Sequence, residues 1–157
     1  MAGFAASNYN ATTPALTAIT TTYKTLLNLS ASNATQLRRI KVHEFVFGTT
    51  GTAADNVAQF DVSETSAIGT GVSGVITKLD SADAAALGVS TINHTVEPTV
   101  TANSSKWLAG FNQRSTHRWV AYPGYELVIP ATNAAGLAFR CLSPGYTGNA
   151  SATVHFS

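Results

Sequence analysis

Short runs of alternating apolar and polar residues, separated by Gly, Pro, Asn and Ser, recur from about residue 20 to the end of the chain. In the first run Tyr23, Leu27 and Leu29 fall on one face, with Lys24 and Asn28 on the other. A period of two is the signal of a half-buried β-strand, and no segment of useful length has the 3.6-residue period of a helix. The sequence therefore predicts an all-β protein.

The alternation predicts about eight principal strands in residues 19–157. Each strand has one apolar face to bury, so two antiparallel sheets packed as a sandwich are the expected arrangement. The connections over residues 49–56 and 80–95 exceed simple hairpins, which favours a jelly roll over an immunoglobulin-like sandwich. The later predicted strands carry Ile40, Val42 and Val46; Ala58, Phe60 and Val62; Trp107, Ala109 and Phe111; Tyr125, Leu127 and Ile129; Leu137, Phe139 and Cys141; and Ala152, Val154 and Phe156.

Two local features interrupt the strand pattern. Phe45 and Phe47 break the alternation of Ile40, Val42 and Val46, so we expect either cover on both faces there or a β-bulge that reverses the facing. Residues 81–88 predict one short helical turn, with Ser81 as N-cap and a glycine as terminator.

The first 18 residues contain no charged side chain, and their large groups are Phe4, Tyr9 and Leu16. A frayed terminus is the common behaviour of chain ends. Disordered tails tend to be highly charged, however, and this segment is not. The alternative is an extended N-terminal arm that orders on a neighbouring subunit, with those three residues as contacts.

Charge and cysteine content exclude several classes of protein. Only 11% of the 157 residues are charged and the net charge is +1, which argues against nucleic-acid binding. The one basic cluster, Arg38, Arg39 and Lys41, is interpreted as a solvated strand face. No segment has the roughly 18 apolar residues of a membrane span, and the first residues lack the features of a secretory signal. The single cysteine, Cys141, excludes an intrachain disulfide and fits assembly in a cytoplasm.

No arrangement of reactive residues predicts an enzyme, a metal site or a cofactor. The chain has no Gly-X-Ser-X-Gly motif, and Cys141 falls on the apolar face of a strand. The histidines, His43, His94, His117 and His155, show no paired spacing. His43 and His155 would meet only if their strands are neighbours, and a third ligand is not evident.

Four aromatic residues, Trp107, Trp119, Tyr122 and Tyr125, lie close in sequence. One hypothesis is a glycan platform formed by Trp107, Trp119 and Tyr122, because aromatic faces pack against sugar rings. The other places Trp107 and Tyr125 in the sandwich core, where aromatics contribute much of the buried area. The shortage of nearby Asp, Glu and Arg side chains, which would bind hydroxyls, favours the core.

Three stretches resemble a class of small tailed-bacteriophage virion proteins. They are residues 42–48 with the strand around 59–62, residues 79–86, and the strand after Pro123 and Gly124. The resemblance spans about residues 20–157 through short, degenerate motifs. It implies a jelly-roll decoration, or cement, protein on the outer face of an icosahedral capsid. Such proteins commonly form trimers at three-fold lattice positions and tie their neighbours together with terminal arms.

The composition agrees with that class on independent grounds. Because the chain has few long charged side chains, little rotamer entropy is lost when its surface is buried. Protein interfaces are also depleted in Lys and Glu. We therefore predict a non-enzymatic virion protein whose partners are the major capsid protein and itself, as a homotrimer. It would stabilise the shell against the pressure of packaged DNA. The alternative is a receptor-binding or carbohydrate-binding module of a phage appendage.

Overall fold

The computed structural model describes residues 2–9, 16–31 and 36–157, and within these ranges it contains strands and turns but no helix. The all-β prediction is confirmed. The strands in these ranges number thirteen rather than about eight, because several short strands accompany the long ones. They are β1 (Phe4–Ser7), β2 (Thr17–Ala18), β3 (Lys24–Ser30), β4 (Ile40–Thr50), β5 (Val57–Ala67), β6 (Thr70–Ser73), β7 (Ile76–Lys78), β8 (Val89–Val96), β9 (Thr99–Asn112), β10 (His117–Val120), β11 (Leu127–Ile129), β12 (Gly136–Leu142) and β13 (Asn149–Phe156).

The strands form two antiparallel sheets. The first sheet has the order β10-β4-β13-β1-β7, with β11 also beside β4 and β2 also beside β13. The second sheet has the order β6-β8-β3-β12-β5-β9. Their apolar faces meet, because Phe47 of the first sheet lies 4.7 Å from Phe60 of the second, and Phe45 lies 5.7 Å from Phe139, between ring centroids. The arrangement is sandwich-like, as predicted.

A bulge in β4 places both phenylalanines in the core. The β4–β13 register shifts between His155 and Phe156, which leaves His43 as the extra residue opposite that step. The shift reverses the facing of the strand, so Phe45 and Phe47 are fully buried while Val46 is only half-buried. Of the two predicted explanations for this stretch, the bulge is confirmed. The placement of Val46 on the face of Ile40 is wrong for the same reason.

The second sheet is strongly curled. In a flat sheet β5 and β6 would be four strand spacings apart, about 19 Å. Only residues 68 and 69 separate them, and three steps of extended chain span about 10 Å. The β5–β9 ladder instead continues into the β6–β8 ladder, with Ala67 opposite Thr99 and Thr70 opposite Val96. These four strands therefore form one long two-stranded ribbon that bends back on the sheet.

The curl encloses a second, polar interior on the face turned away from the aromatic core. Asn28, Ser30, Ser63 and Thr65 share this face, and none is more than 4% exposed. The Thr65 hydroxyl donates to Asn28 Oδ1 at 3.1 Å, reaching across β12. Gly136 makes this approach feasible, since a Cβ there would lie 2.8 Å from Thr65 Oγ1. Small side chains on β12 thus let two non-adjacent strands bond directly.

The helical turn predicted for residues 81–88 is wrong. The segment forms a turn followed by irregular chain. Asp80, and not Ser81, caps the turn, with its Oδ1 accepting from the Ala82 N–H at 2.9 Å. Lys78 fixes the turn further by donating to the carbonyls of Ser81 and Asp83. Three consecutive alanines do not make a helix here, because these local bonds satisfy the backbone in another way.

An extended N-terminal arm was predicted for residues 1–18. In the described part of this segment, the chain instead pairs with strands of the first sheet. Phe4 to Ser7 form a strand inside the first sheet, paired on one side with β13 and on the other with β7. Asn8 is fully buried, and its side chain donates to the Ala150 carbonyl and accepts from the Ala152 N–H. Met1 and residues 10–15 of the predicted arm lie outside the described residues.

Candidate interaction surface

The two tryptophans of the predicted glycan platform pack against the core. The Trp119 ring stacks on Phe45, with centroids 4.9 Å apart and planes at 15°. Trp107 meets the same Phe45 ring edge-on at 5.2 Å. Because Trp119 lies on β10 and Trp107 on β9, the pair closes one open edge of the sandwich. The prediction that Trp107 belongs to the core agrees with this placement.

Tyr122 and Tyr125 lie on a protruding turn between β10 and β11. The Tyr125 N–H donates to the Tyr122 carbonyl at 2.9 Å, and Gly124 adopts a φ of 88° that side-chain-bearing residues avoid. The two tyrosines are 80% and 78% exposed. The core position predicted for Tyr125 is therefore wrong, since β11 begins only at Leu127. Tyr122 is exposed on this turn, whereas Trp107 and Trp119 pack against Phe45.

The three predicted arm residues are in different environments. Phe4 is 8% exposed, and its ring lies 5.6 Å from Phe156 of the neighbouring strand. It is thus used by its own chain and is not free to anchor on another subunit. Tyr9 follows β1 and is 53% exposed, whereas Leu16 is half-buried just before β2. Of the three, Tyr9 is the one whose side chain is available to a partner.

Most charged side chains pair within the chain. Arg118 holds the Glu44 carboxylate with two hydrogen bonds, of 2.6 and 3.0 Å, and this hydrogen bonding lowers the pKa of Glu44. His155 Nδ1 lies 3.7 Å from the same carboxylate. Asp61 and Arg140 form a second, more buried pair on the polar face of the second sheet. These pairs leave little free charge on the surface.

The histidines do not assemble a metal-binding group. His43 and His155 lie on neighbouring strands, but His43 Nε2 contacts Ser157 Oγ at 2.8 Å while His155 turns to Glu44. His94 contacts Thr91 Oγ1 at 2.9 Å, and its burial lowers its pKa. His117 packs between aromatic rings. Over residues 2–9, 16–31 and 36–157, no three His, Cys, Asp or Glu side chains are placed to hold a metal ion.

Cys141 lies on the apolar face of β12, as the alternation predicts. Its side chain is fully buried, and burial raises the pKa of its thiol to about 12. A thiol with that pKa has almost no thiolate at neutral pH, so it lacks the form that acts as a nucleophile. Its environment is that of a small core residue.

Large apolar side chains are exposed at several places on the surface. Single exposed apolar residues are ordinary, but here they stand on a surface with few free charges. The exposed large apolar residues are Tyr9, Leu37, Val57, Val72, Val75, Leu79, Val96, Leu108, Val120, Tyr122 and Tyr125. In the described part of the chain there is also no helix of the length and apolarity needed to cross a membrane.

An apolar groove lies at one end of the sandwich, where the chain enters β4. The groove is lined by Ala2, Phe4, Ile40, Phe156, Ser157 and residues 84–88, and Arg38 and Arg39 are part of the same lining. The basic cluster was predicted as a strand face, but Arg38 and Arg39 precede β4 and are exposed. Sequence reasoning missed this groove, because its lining comes from four distant parts of the chain. The adjacent arginines were the one local signal.

The chain was compared with protein-family models, with curated proteins and with solved structures, and none of these comparisons finds a match.

Proposed function

We propose that this chain is a structural virion protein: a decoration, or cement, protein that binds the outer surface of a tailed-phage capsid. Its partners would be the major capsid protein and two further copies of itself. Binding would stabilise the shell against the outward pressure of packaged DNA. The proposal gives the protein a role carried by its surface, with no bond-making centre and no cofactor.

The observation that carries the proposal is a surface that combines exposed apolar side chains with few free charges. Tyr122 and Tyr125 are exposed on a hydrogen-bonded turn, and tyrosine is enriched at the energetic centres of interfaces. Six carboxylates already bind a basic side chain of the same chain. Burying such a surface removes few unpaired ions from water, which keeps the desolvation cost of association low.

The jelly-roll topology stays a prediction and belongs to this proposal. Among the described strands eight connections cross from one sheet to the other: β2 to β3, β3 to β4, β4 to β5, β6 to β7, β7 to β8, β9 to β10, β11 to β12 and β12 to β13. Frequent crossing between two sheets is a property of jelly rolls. The strand order that accompanies these crossings is the feature to compare once a relative with a known structure is found.

The N-terminal contacts also stay a proposal, in a reduced form. Because Phe4 is occupied in its own sheet, Tyr9 is the residue we assign to a neighbour, with Leu16 beside β2 as a secondary contact. The anchoring would then begin after β1 and not at the first residue. Removal of β1 would damage the sandwich itself, so single substitutions at Tyr9 are the appropriate test.

The alternative, a carbohydrate-binding module of an appendage, has less support. Trp119 stacks a ring face on Phe45 and Trp107 stacks one on Phe47, and a sugar ring needs a free aromatic face. A glycan-binding screen distinguishes the two functions. Saturable sugar binding that Trp119→Ala abolishes, without loss of folding, would favour the module over the cement protein.

The proposal is tested by reconstitution with empty shells of the phage that encodes the chain. Shells stripped of their surface proteins are mixed with the purified chain and sedimented. We expect saturable cosedimentation, and a light-scattering mass in solution of three times the 16.3 kDa chain. Shells that sediment without the chain at every concentration would refute the capsid assignment, and a strict monomer would refute the trimer.

A further inference from the structure

The groove at the entry of β4 has the size and the lining of a binding site for a side chain. Its volume is about 350 Å³, and its exposed lining is mainly apolar. Phe4 and Phe156 form part of its floor and are held firmly, because their strands pair along their length and their rings are 5.6 Å apart. Ligand cavities range from about 300 to 1,000 Å³, so this groove has room for one or two large side chains.

Arg38 and Arg39 beside the groove differ from the other basic residues of the chain. Lys24, Lys41, Lys106, Arg114, Arg118 and Arg140 each pair with a carboxylate, and Lys78 donates to two backbone carbonyls. Neither Arg38 nor Arg39 pairs with any carboxylate of the described residues. The remaining residues, Met1, 10–15 and 32–35, include no Asp or Glu. The two guanidinium groups at this groove are therefore not held in an ion pair by an acidic side chain of the chain itself.

The chemistry of an arginine pair beside an apolar groove specifies its ligand. A guanidinium presents donors in a planar fork that matches a carboxylate, and it is more weakly hydrated than the ammonium of lysine. The apolar floor gains free energy when it is covered by an apolar group. A ligand that satisfies both features carries a large apolar group within a few ångströms of a carboxylate.

We propose that this groove binds a segment of another protein in which a large apolar residue is flanked by Asp or Glu. The acidic group has to come from a different protein, because a second copy of this chain has few carboxylates without a basic partner. Only Asp80 and Asp83 are without a basic partner, and Asp80 already caps its own turn. Both precede residues 84–88, which form the wall of the same groove.

This inference names a partner chemistry for the proposed function without depending on it. In a cement protein, the acidic segment would belong to the capsid protein. The recognition itself requires only the groove and the two arginines. A test with short peptides therefore separates this inference from the proposed function. Failure of the peptides to bind would refute the proposed ligand of the groove and leave the shell-binding experiment unaffected.

The experiment is a titration of the isotope-labelled full chain, followed by amide chemical shifts in NMR spectra. The probe is the peptide acetyl-Gly-Asp-Leu-Glu-Gly-amide, and the controls are its Asn-Leu-Gln and Asp-Ser-Glu counterparts. We expect saturable shifts at the amides of Ile40, Ala86, Gly88 and Phe156 with the probe. Two surface ion pairs contribute about 0.2–1 kcal/mol each, so we expect the neutral peptide to bind about twofold to thirtyfold more weakly.

Substitutions separate the groove from general charge effects. Arg38→Gln with Arg39→Gln should remove the preference for the acidic peptide. Arg114→Gln with Arg118→Gln lowers the net charge by the same amount elsewhere on the surface and should leave the preference intact. Ala85→Trp fills the groove, keeps both arginines and should weaken every peptide. The spectra of the free variants confirm that each one is folded.

Three results would overturn the proposal. The first is the absence of shifts at the groove with the acidic peptide. The second is equal binding of the acidic and neutral peptides, or equal loss in the two arginine variants, since either outcome assigns no role to Arg38 and Arg39. The third is binding of sodium octanoate at the groove when no peptide binds, which would make the site one for a small amphiphile.

Discussion

The buried ion pair of Asp61 and Arg140 supports the most quantitative prediction about stability. These residues face each other across β5 and β12, and their side chains are 3% and 18% exposed. The carboxylate accepts from Arg140 Nε at 2.8 Å, from the Ser63 hydroxyl at 2.7 Å and from the Ser105 hydroxyl at 2.6 Å. Asp61→Ala would leave all of these donors without their acceptor.

The expected loss of unfolding free energy depends on which charged group remains buried after the substitution. Removing one partner of a buried pair costs about 3–5 kcal/mol, because the other charge is left uncompensated. Arg140 retains some solvent contact and lies over the Tyr23 ring, 4.6 Å from its centroid. Both features moderate the loss, so we expect Asp61→Ala to lower the free energy of unfolding by about 3–4 kcal/mol. For a domain of this size that is roughly 6–16 °C in melting temperature.

Urea unfolding at pH 7, followed by circular dichroism and tryptophan fluorescence, measures this loss. Asp55→Ala is the matched control, because it removes the partner of Arg114 in a pair whose side chains are both more than half exposed; we expect a change below about 0.5 kcal/mol. The double variant Asp61→Leu with Arg140→Met removes both charges and should be more stable than Asp61→Ala. A loss below about 1 kcal/mol for Asp61→Ala would refute the reasoning.

Three further predictions follow from single contacts. Phe4→Ala should lower the free energy of unfolding by about 3–5 kcal/mol in urea, because a buried core ring is lost, whereas Tyr9→Ala should have almost no effect; equal values would contradict the placement of β1. Arg118 lowers the pKa of Glu44, so that carboxylate stabilises the fold at neutral pH and loses its contribution as the pH falls through its folded-state pKa. The difference in urea midpoint between the wild type and Arg118→Gln should therefore shrink from pH 7 to pH 3, and a constant difference would contradict it. Cys141 should react with a thiol reagent at pH 8 only after unfolding, since burial raises its pKa to about 12; fast labelling of the folded chain would contradict its burial.

The strands and the aromatic core were predictable because their signals are local. Alternation places Phe60, Phe139 and Val154 on buried faces without any knowledge of strand pairing. The irregularity at Phe45 and Phe47 was also visible, and the bulge that explains it is a one-residue event within a single strand. Features of this kind depend on neighbours in the sequence, which the sequence displays directly.

The polar interior was not predictable, because it depends on how the second sheet curls. Asn28, Ser63 and Thr65 have the composition of a solvated strand face, and only the return of the bent ribbon buries them. The same holds for Phe4, whose strand needs β13 and β7 from the other parts of the chain. Register between distant strands is a non-local property, and it leaves little trace in any one segment.

The groove beside Arg38 and Arg39 shows the same limit for a candidate site. The two arginines were noted as a cluster, but their meaning depends on the absence of acidic partners and on the apolar floor that Phe4 and Phe156 supply. Neither condition can be inferred from residues 38–41 alone. Tyr125 shows that a local pattern can also mislead. Its alternation with Leu127 and Ile129 predicted a buried side chain, but the strand begins only after Tyr125, which is exposed.

Imaging of the native particle by electron cryomicroscopy tests the central claim most directly. We expect density for the sandwich on the outer face of the shell, grouped in threes, with the groove of each copy against an acidic segment of the shell protein. Particles that contain no copy of the chain, or that carry it only at the tip of an appendage, would contradict it.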